Sequence, residues 1–286
     1  MPPLFKIQST GVGLSLQDVG GRRGWRRFGV PPGGALDAKS ALAANRLLGN
    51  HPHAPVLEIL LQGARLELLR SSWVALAGAE FGGRLSSWTA ECFPEGLVLE
   101  FPRNVRGLLG YVAVPGGFEA ERWFGSAASD LRNGMGKRLK KNMLLASAET
   151  KPRASVERVS RRSLSWEERR DFARPAVFEV FRGPQFDAFH ASTKERFLRG
   201  PWEVSTQSDR TGYRLEGPEL EVPASIPSAP VLPGSVQIPG NGFPIVTLND
   251  GPTVGGYANL AILRAEDVGR FAQCAPGTRI HFQWAD

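Results

Sequence analysis

The chain has 286 residues, room for one large domain or two of ordinary size, and its 42% hydrophobic and 22% charged residues are those of a folded protein. No apolar run reaches the ~18 residues that a membrane helix requires, and the opening MPPLFKIQSTGVGLSLQ lacks a basic stretch leading into an apolar core. Neither membrane nor secretory signal is therefore expected, and the expected location is cytoplasmic. The net charge of +7 is concentrated in residues 137–141 (KRLKK) and 151–174; without interleaved aromatics or a known nucleic-acid-binding signature, these runs give no reason to expect a nucleic-acid partner.

In chain order, the first distinctive segment is 17–50, QDVGGRRGWRRFGVPPGGALDAKSALAANRLLGN. Its glycines admit positive φ and close approach to the main chain. The guanidinium groups of Arg22, Arg23, Arg26 and Arg27 lie beside that backbone, a combination suited to holding carboxylate or phosphate. Asp18 is free to orient an arginine or to act as a base. The segment ends in a helix predicted over 37–48, with Asp37 as cap, Leu42, Asn45 and Leu48 at helical spacing, and Gly49-Asn50 as stop. His51 and His53 follow, next to prolines in a turn.

Short β-type runs dominate the rest of the first half, at 56–61, 64–69, 73–77, 97–101 and 108–114. The second half has runs at 177–181, 213–216, 235–238, 245–248 and 279–283. Frequent turns, with 22 prolines and 33 glycines, point to a sandwich or barrel and not to alternating βαβ units. Two further helices are predicted at 186–198, with Phe189 and Phe197 in the core, and at 266–274, with Val268 and Phe271 inward. The division read from this pattern is a first unit at 1–150, a basic linker at 151–174 and a second unit at 175–286.

Two polar turns stand out in the second unit. Gln207, Ser208, Asp209 and Arg210 precede a strand: either Arg210 meets a substrate anion while Gln207 or Ser208 bonds an amide, or Asp209 and Arg210 brace the turn. In 250–257, DGPTVGGY, the amides of Gly255 and Gly256 offer an anion-binding concavity, Thr253 lies between, and Tyr257 offers a hydroxyl; the other reading is a hairpin whose glycines meet turn geometry. No Gly-Lys-Ser/Thr phosphate loop, nucleophile elbow or metal-ligand spacing occurs, so no metal is expected. Lys137, Lys140 and Lys141 either touch phosphate or form a solvated face. Cys92 and Cys274 match neither a zinc spacing nor a redox pair, and are expected to be buried free thiols.

Three blocks in order carry a family resemblance. They are Gly29-Val30-Pro31-Pro32-Gly33-Gly34-Ala35-Leu36-Asp37 with Ala44-Asn45-Arg46-Leu47-Leu48-Gly49-Asn50; Gly183-Pro184-Gln185 with Ser205-Thr206-Gln207-Ser208-Asp209-Arg210-Thr211-Gly212-Tyr213; and Gly234-Ser235-Val236-Gln237-Ile238-Pro239 with Asp250-Gly251-Pro252-Thr253-Val254-Gly255-Gly256-Tyr257. Together they resemble the KipA family, also called allophanate hydrolase subunit 2 or the biotin-dependent carboxyltransferase family, whose bacterial members include the C-type subunit of the ATP-hydrolysing 5-oxoprolinase.

The resemblance implies a mainly β protein of two cyclophilin-like β-barrel units with a few short helices. It also implies two different partner chains, one KipI-like (the B-type subunit) and one of the LamB/YcsF type (the A-type subunit). ATP use by the assembled enzyme and opening of the lactam of 5-oxo-L-proline to glutamate follow from the same likeness. A urea- or allophanate-type carboxyltransferase would instead need biotin, delivered on another chain; a third reading is a non-catalytic regulator that binds a KipI-like kinase inhibitor. The candidate site under the first reading is catalytic Asp18, Arg210 and Tyr257, with Arg22, Arg23, Gln207, Ser208, Asp209, Thr253, Gly255 and Gly256 binding substrate in one pocket fed by loops of both units. The chain departs from the family pattern in its longer opening, Asp18-Val19-Gly20-Gly21-Arg22-Arg23-Gly24, which leaves open whether Arg22 or Arg23 fills the family position. It also has Ala258 where the family has proline, and a shorter stretch at 137–142.

Overall fold

The computed structural model of the chain describes residues 2–149, 161–223 and 226–285. The chain divides into two units, Met1–Arg22 with Gly33–Phe172, and Arg23–Pro32 with Ala173–Asp286. No helix among the described residues is long and apolar enough to cross a membrane.

The first unit contains β1 (Pro3–Thr10), β2 (Gly13–Gln17), α1 (Ala38–Leu48), β3 (Val56–Leu60), β4 (Ala64–Leu68), β5 (Ser72–Glu80), β6 (Thr89–Phe93), β7 (Val98–Phe101), β8 (Arg106–Ala113), β9 (Leu144–Ala146) and β10 (Arg161–Ser163). They form a four-stranded sheet in the order β7-β4-β1-β9 and a six-stranded sheet in the order β10-β6-β5-β8-β3-β2, with antiparallel neighbours throughout. Alternation explains which face is buried: on β4, Ala64, Leu66 and Leu68 are inward while Arg65 is exposed. These side chains join Phe5, Ile7, Ile59, Val74, Leu76 and Phe101 in one core shared by both sheets. Each fully buried Leu, Ile or Phe there contributes about 1.5–3 kcal/mol.

Among the described residues no closed barrel is seen in this half. Closure requires the hydrogen-bond ladder to run on from the last strand to the first, whereas β7 and β9 end one ladder and β10 and β2 end the other. The core is closed by stacking two open sheets instead. Strand β5 is buried on both faces because α1 covers its outer side. Gly78 makes this possible: a side chain there would meet Ser40 of α1 and the carbonyl of Leu109.

Helix α1 forms as its punctuation predicts. Asp37 accepts from the Ser40 amide at 3.3 Å, and Gly49, at φ 67°, closes the C-terminus. Its buried face differs from the predicted one: Ser40, Ala41, Ala44, Asn45, Leu47 and Leu48 point inward while Leu42 is 39% exposed. Small residues let the helix lie close to β5, so the larger Leu42 has no place on that face.

Part of the predicted linker is structure. Residues 151–160 lie outside the described residues, but β10 pairs with β6, Ser165 and Glu168 form a capping box, and Arg170 pairs with Asp37. The stretch from Arg161 to Phe172 therefore belongs to the first unit. Cys92 is exposed, against expectation.

The second unit contains β11 (Val177–Arg182), α2 (Ala191–Arg199), β12 (Trp202–Val204), β13 (Gly212–Glu216), β14 (Ala229–Pro230), β15 (Ser235–Ile238), β16 (Ile245–Thr247), β17 (Val254–Gly255), β18 (Ala258–Leu263), α3 (Val268–Phe271) and β19 (Arg279–Trp284). Here the barrel closes, in the order β11-β18-β15-β16-β13-β12-β19, sealed by the parallel pair of β11 with β19. Phe178, Trp202, Val236, Ile238, Val246, Leu260 and Ile280 fill the core, and Phe197 of α2 stacks on Phe282 at 4.7 Å. Phe189, Val268 and Phe271 are buried as predicted. Helix α2 starts later than expected because Phe186–Ala188 is a separate 3-10 turn before the cap at His190.

Candidate functional site

In the first unit the opening loop is tied down by its own charged residues. The buried carboxylate of Asp18 accepts from the amides of Gly21 at 2.8 Å and Ala127 at 2.7 Å and from Ser126 Oγ at 3.0 Å. Arg22 is fully buried and donates to the carbonyl of Ala128. Gly33, at φ 61°, leaves space that a side chain would take from that guanidinium. Asp18 and Arg22 thus hold the consecutive residues 126–128 in place. Of the two candidate arginines, Arg22 is committed to this packing and Arg23 is exposed.

Beside this loop is a groove of about 610 Å3, lined by His51, His53, Pro55, Phe118, Glu119, Glu121 and Arg122 among others. Its walls are assembled by backbone bonds. Asn45 of α1 donates to the carbonyl of Ala54 at 2.9 Å and accepts from Asn50, fixing the turn that carries both histidines. Asn50 reaches across to the carbonyl of Val114 and the amide of Gly116, and the Phe118 amide donates to Pro55 at 3.0 Å. Gly117, at φ 85°, allows the two walls to meet, since a side chain there would strike Ala54 and Pro55. Gly20 packs against the imidazole of His53, where a Cβ would lie 3.1 Å from Nδ1.

Two features give the groove its chemistry. His51 Nδ1 accepts from the His53 amide at 3.1 Å, which leaves the proton of a neutral ring on Nε2 as a donor. Arg122 stands at the base of a two-residue hairpin: Trp123 and Ser126 exchange backbone bonds of 2.8 and 3.1 Å, with Phe124 at φ 53° and Gly125 at φ 83° between them, the positive-φ pair that such a turn needs. Arg122 Nη1 donates to the Gly125 carbonyl at 3.1 Å and lies 4.0 Å from Asp18 Oδ2. Asp18 is thus near an arginine, as one reading of the sequence had it, but the arginine is Arg122. The sequence signal missed was Phe124-Gly125, a hairpin without the usual Asn-Gly or Asp-Gly.

Beneath α1 a second polar network is closed to solvent. Tyr111 donates to Glu58 Oε2 at 2.8 Å and accepts from the Asp37 amide at 2.8 Å, and Glu58 also accepts from the Leu36 amide. Burial, then the carboxylates of Glu58 and Asp37, push the Tyr111 hydroxyl well above its ordinary pKa. This network positions the start of α1.

In the second unit, Arg210 is bidentate to Asp250, with bonds of 2.7 and 3.1 Å. Asp209 closes its own turn on the amides of Thr211 and Gly212, and Ser208 Oγ accepts from the Arg214 amide. Gln207 is exposed, its amide on Ser205 Oγ. Gly255 pairs with Ala229 in the β14–β17 ladder, and the Thr253 carbonyl accepts from the Val231 amide, so the partner of this stretch is the segment at 229–231 and not a local hairpin strand. Gly256 and Tyr257 are exposed, and Gln237 donates to the Tyr257 carbonyl at 3.4 Å. Asp18 and Arg22 belong to the first unit; Arg23, Gln207, Ser208, Asp209, Arg210, Thr253, Gly255, Gly256 and Tyr257 belong to the second.

Among the described residues no group of three or more His, Cys, Asp and Glu is placed to hold a metal. The groove does not suit a nucleotide triphosphate, because Glu119 and Glu121 line it with Arg122 as its one guanidinium.

The family model described as "Carboxyltransferase domain, subdomain A and B" matches residues 28–284. The C-type subunit of 5-oxoprolinase from Escherichia coli is 36% identical over 290 residues, covering 98% of this chain and 90% of that protein. Urea amidolyase of Lachancea kluyveri is 26% identical over 98% of this chain, which spans 17% of its length. A crystal structure of TTHA0988 superposes with a TM-score of 0.88 at 32% identity, covering 98% of this chain and 56% of the other.

Proposed function

The chain belongs to the carboxyltransferase-domain family, the biotin-dependent carboxyltransferases, and from that membership we propose that it is a C-type subunit of an ATP-dependent 5-oxoprolinase that hydrolyses 5-oxo-L-proline to glutamate. The observation that carries this reading is the identity with the E. coli protein across nearly the whole of both chains. A KipI-like chain and a LamB/YcsF-type chain complete the enzyme in this reading. ATP supplies the driving force for opening an unreactive lactam, and the nucleotide is held outside the groove, whose carboxylates repel it. The groove's own part is to bind and orient the amide, with an apolar floor from Pro55 and Phe118 and polar groups at the rim.

The test is turnover by the three purified subunits together. Release of glutamate and of ADP that depends on 5-oxo-L-proline is the expected result. The likeness to urea amidolyase favours a second reading, carboxylation of urea or allophanate by carboxybiotin carried on another chain. Biotin-dependent carboxylation with no 5-oxo-L-proline turnover would establish that reading and remove the first. Neither activity, with tight binding to a KipI-like kinase inhibitor, would leave the regulatory reading.

A further inference from the structure

We propose that the groove between His51 and Arg122 is the carboxylate-recognising part of the substrate site, selective for a small cyclic amide that also bears a carboxylate; this deepens the 5-oxoprolinase reading and rests on it. Arg122 carries the argument. Its hairpin fixes the backbone, its Nη1 is committed to Gly125, and no described residue accepts from its Nε or Nη2. One edge of a guanidinium fork is therefore left for a carboxylate. Asp18 stands behind it at 4.0 Å, held by three donors of its own, so the arginine is braced on the protein side.

The rest of the lining complements a lactam. The Nε2 proton of His51 is a donor for an amide carbonyl, and the carboxylates of Glu119 and Glu121 are acceptors for an amide N–H. Phe118, 1% exposed, and Pro55, also buried, close the groove on its inner side. A neutral lactam would leave Arg122 unanswered, and a polyanion would face two carboxylates. The arrangement selects a single negative charge next to an amide.

Imidazole signals of the full chain, followed by NMR during titration with 5-oxo-L-proline, test this directly, and the same titration is repeated on the assembled complex. Those of His51 and His53 are expected to shift, while those of His190 and His281 stay. Binding should weaken at least tenfold for 2-pyrrolidinone, which lacks the carboxylate, and at least tenfold for Arg122→Ala. Arg122→Lys, which keeps the charge and loses the fork, should fall between. The assignment is overturned if the two imidazoles stay unmoved in both preparations, or if 2-pyrrolidinone or Arg122→Ala binds as the wild type does. A complex that turns over 5-oxo-L-proline with the same KM after Arg122→Ala also overturns it, yet leaves the 5-oxoprolinase reading standing. A wild-type complex without turnover removes that reading, and the imidazole titration still decides the groove.

Discussion

Arg170 grips the carboxylate of Asp37 through two N–H···O bonds of 2.6 and 2.8 Å at the N-terminus of α1, with Asp37 buried and Arg170 largely so. The same carboxylate caps the helix through Ser40. A residue 133 positions away along the chain thereby clamps the start of the helix to the stretch that follows β10.

Removing one partner of this pair strands a buried charge. Arg170→Ala and Asp37→Ala should each lower unfolding stability by about 3–5 kcal/mol, read from urea denaturation. The double variant Asp37→Ser with Arg170→Met keeps a cap and fills the space, so its loss should be well below the sum of the single losses. Additive losses would show that the two residues do not act as a pair.

Arg210 should behave as a brace for the turn after β16. Truncation to alanine leaves the Asp250 carboxylate, itself largely buried, without its bidentate partner. A stability loss of about 1–3 kcal/mol is expected, and Arg210→Lys should recover little of it because an ammonium cannot make both bonds. Lysine restoring full stability in denaturant melts would contradict the bidentate role.

The two thiols should separate cleanly. Burial pushes the Cys274 thiol up from 9.0 to about 12, while Cys92 is exposed. A disulfide reagent at pH 8 should titrate one thiol in the native chain and two after denaturation; rapid reaction of both in the native chain would refute the burial. The raised value also sets a sign for stability. Below pH 9 the thiol is protonated in folded and unfolded chains alike, and its contribution is complete. Between pH 9 and 12 only the unfolded chain ionises, and up to about 4 kcal/mol is lost. Cys274→Ala should flatten that alkaline limb of the stability profile.

Local signals were enough for several elements. Helix α1 was legible because Asp37 and Gly49 punctuate it, and β3, β4 and β15 because short apolar runs sit between turn residues. Strand β1 escaped notice: its partners are β4 and β9, with Pro3 opposite Ala146, and no nearby turn announces the pairing. Strand β18, ANLAIL, shows no alternation because almost every residue in it is buried. The groove was illegible for a related reason. Its histidines were visible only as residues in a turn, and Asn45, Asn50 and Gly117 bring that turn to Arg122 from well separated parts of the sequence.

What the amino-acid order determined alone was the family, the mainly β content and the capped helix, since motif spacing, apolar periodicity and cap residues act over a few positions. Only the tertiary structure decided that the first unit is two open sheets and the second a closed barrel, because closure depends on ladder bonds between distant strands. It also decided the fate of the arginines. Arg22, Arg170 and Arg210 are the same fork in the sequence, and each is defined by the distant oxygen the fold places within about 3 Å of it.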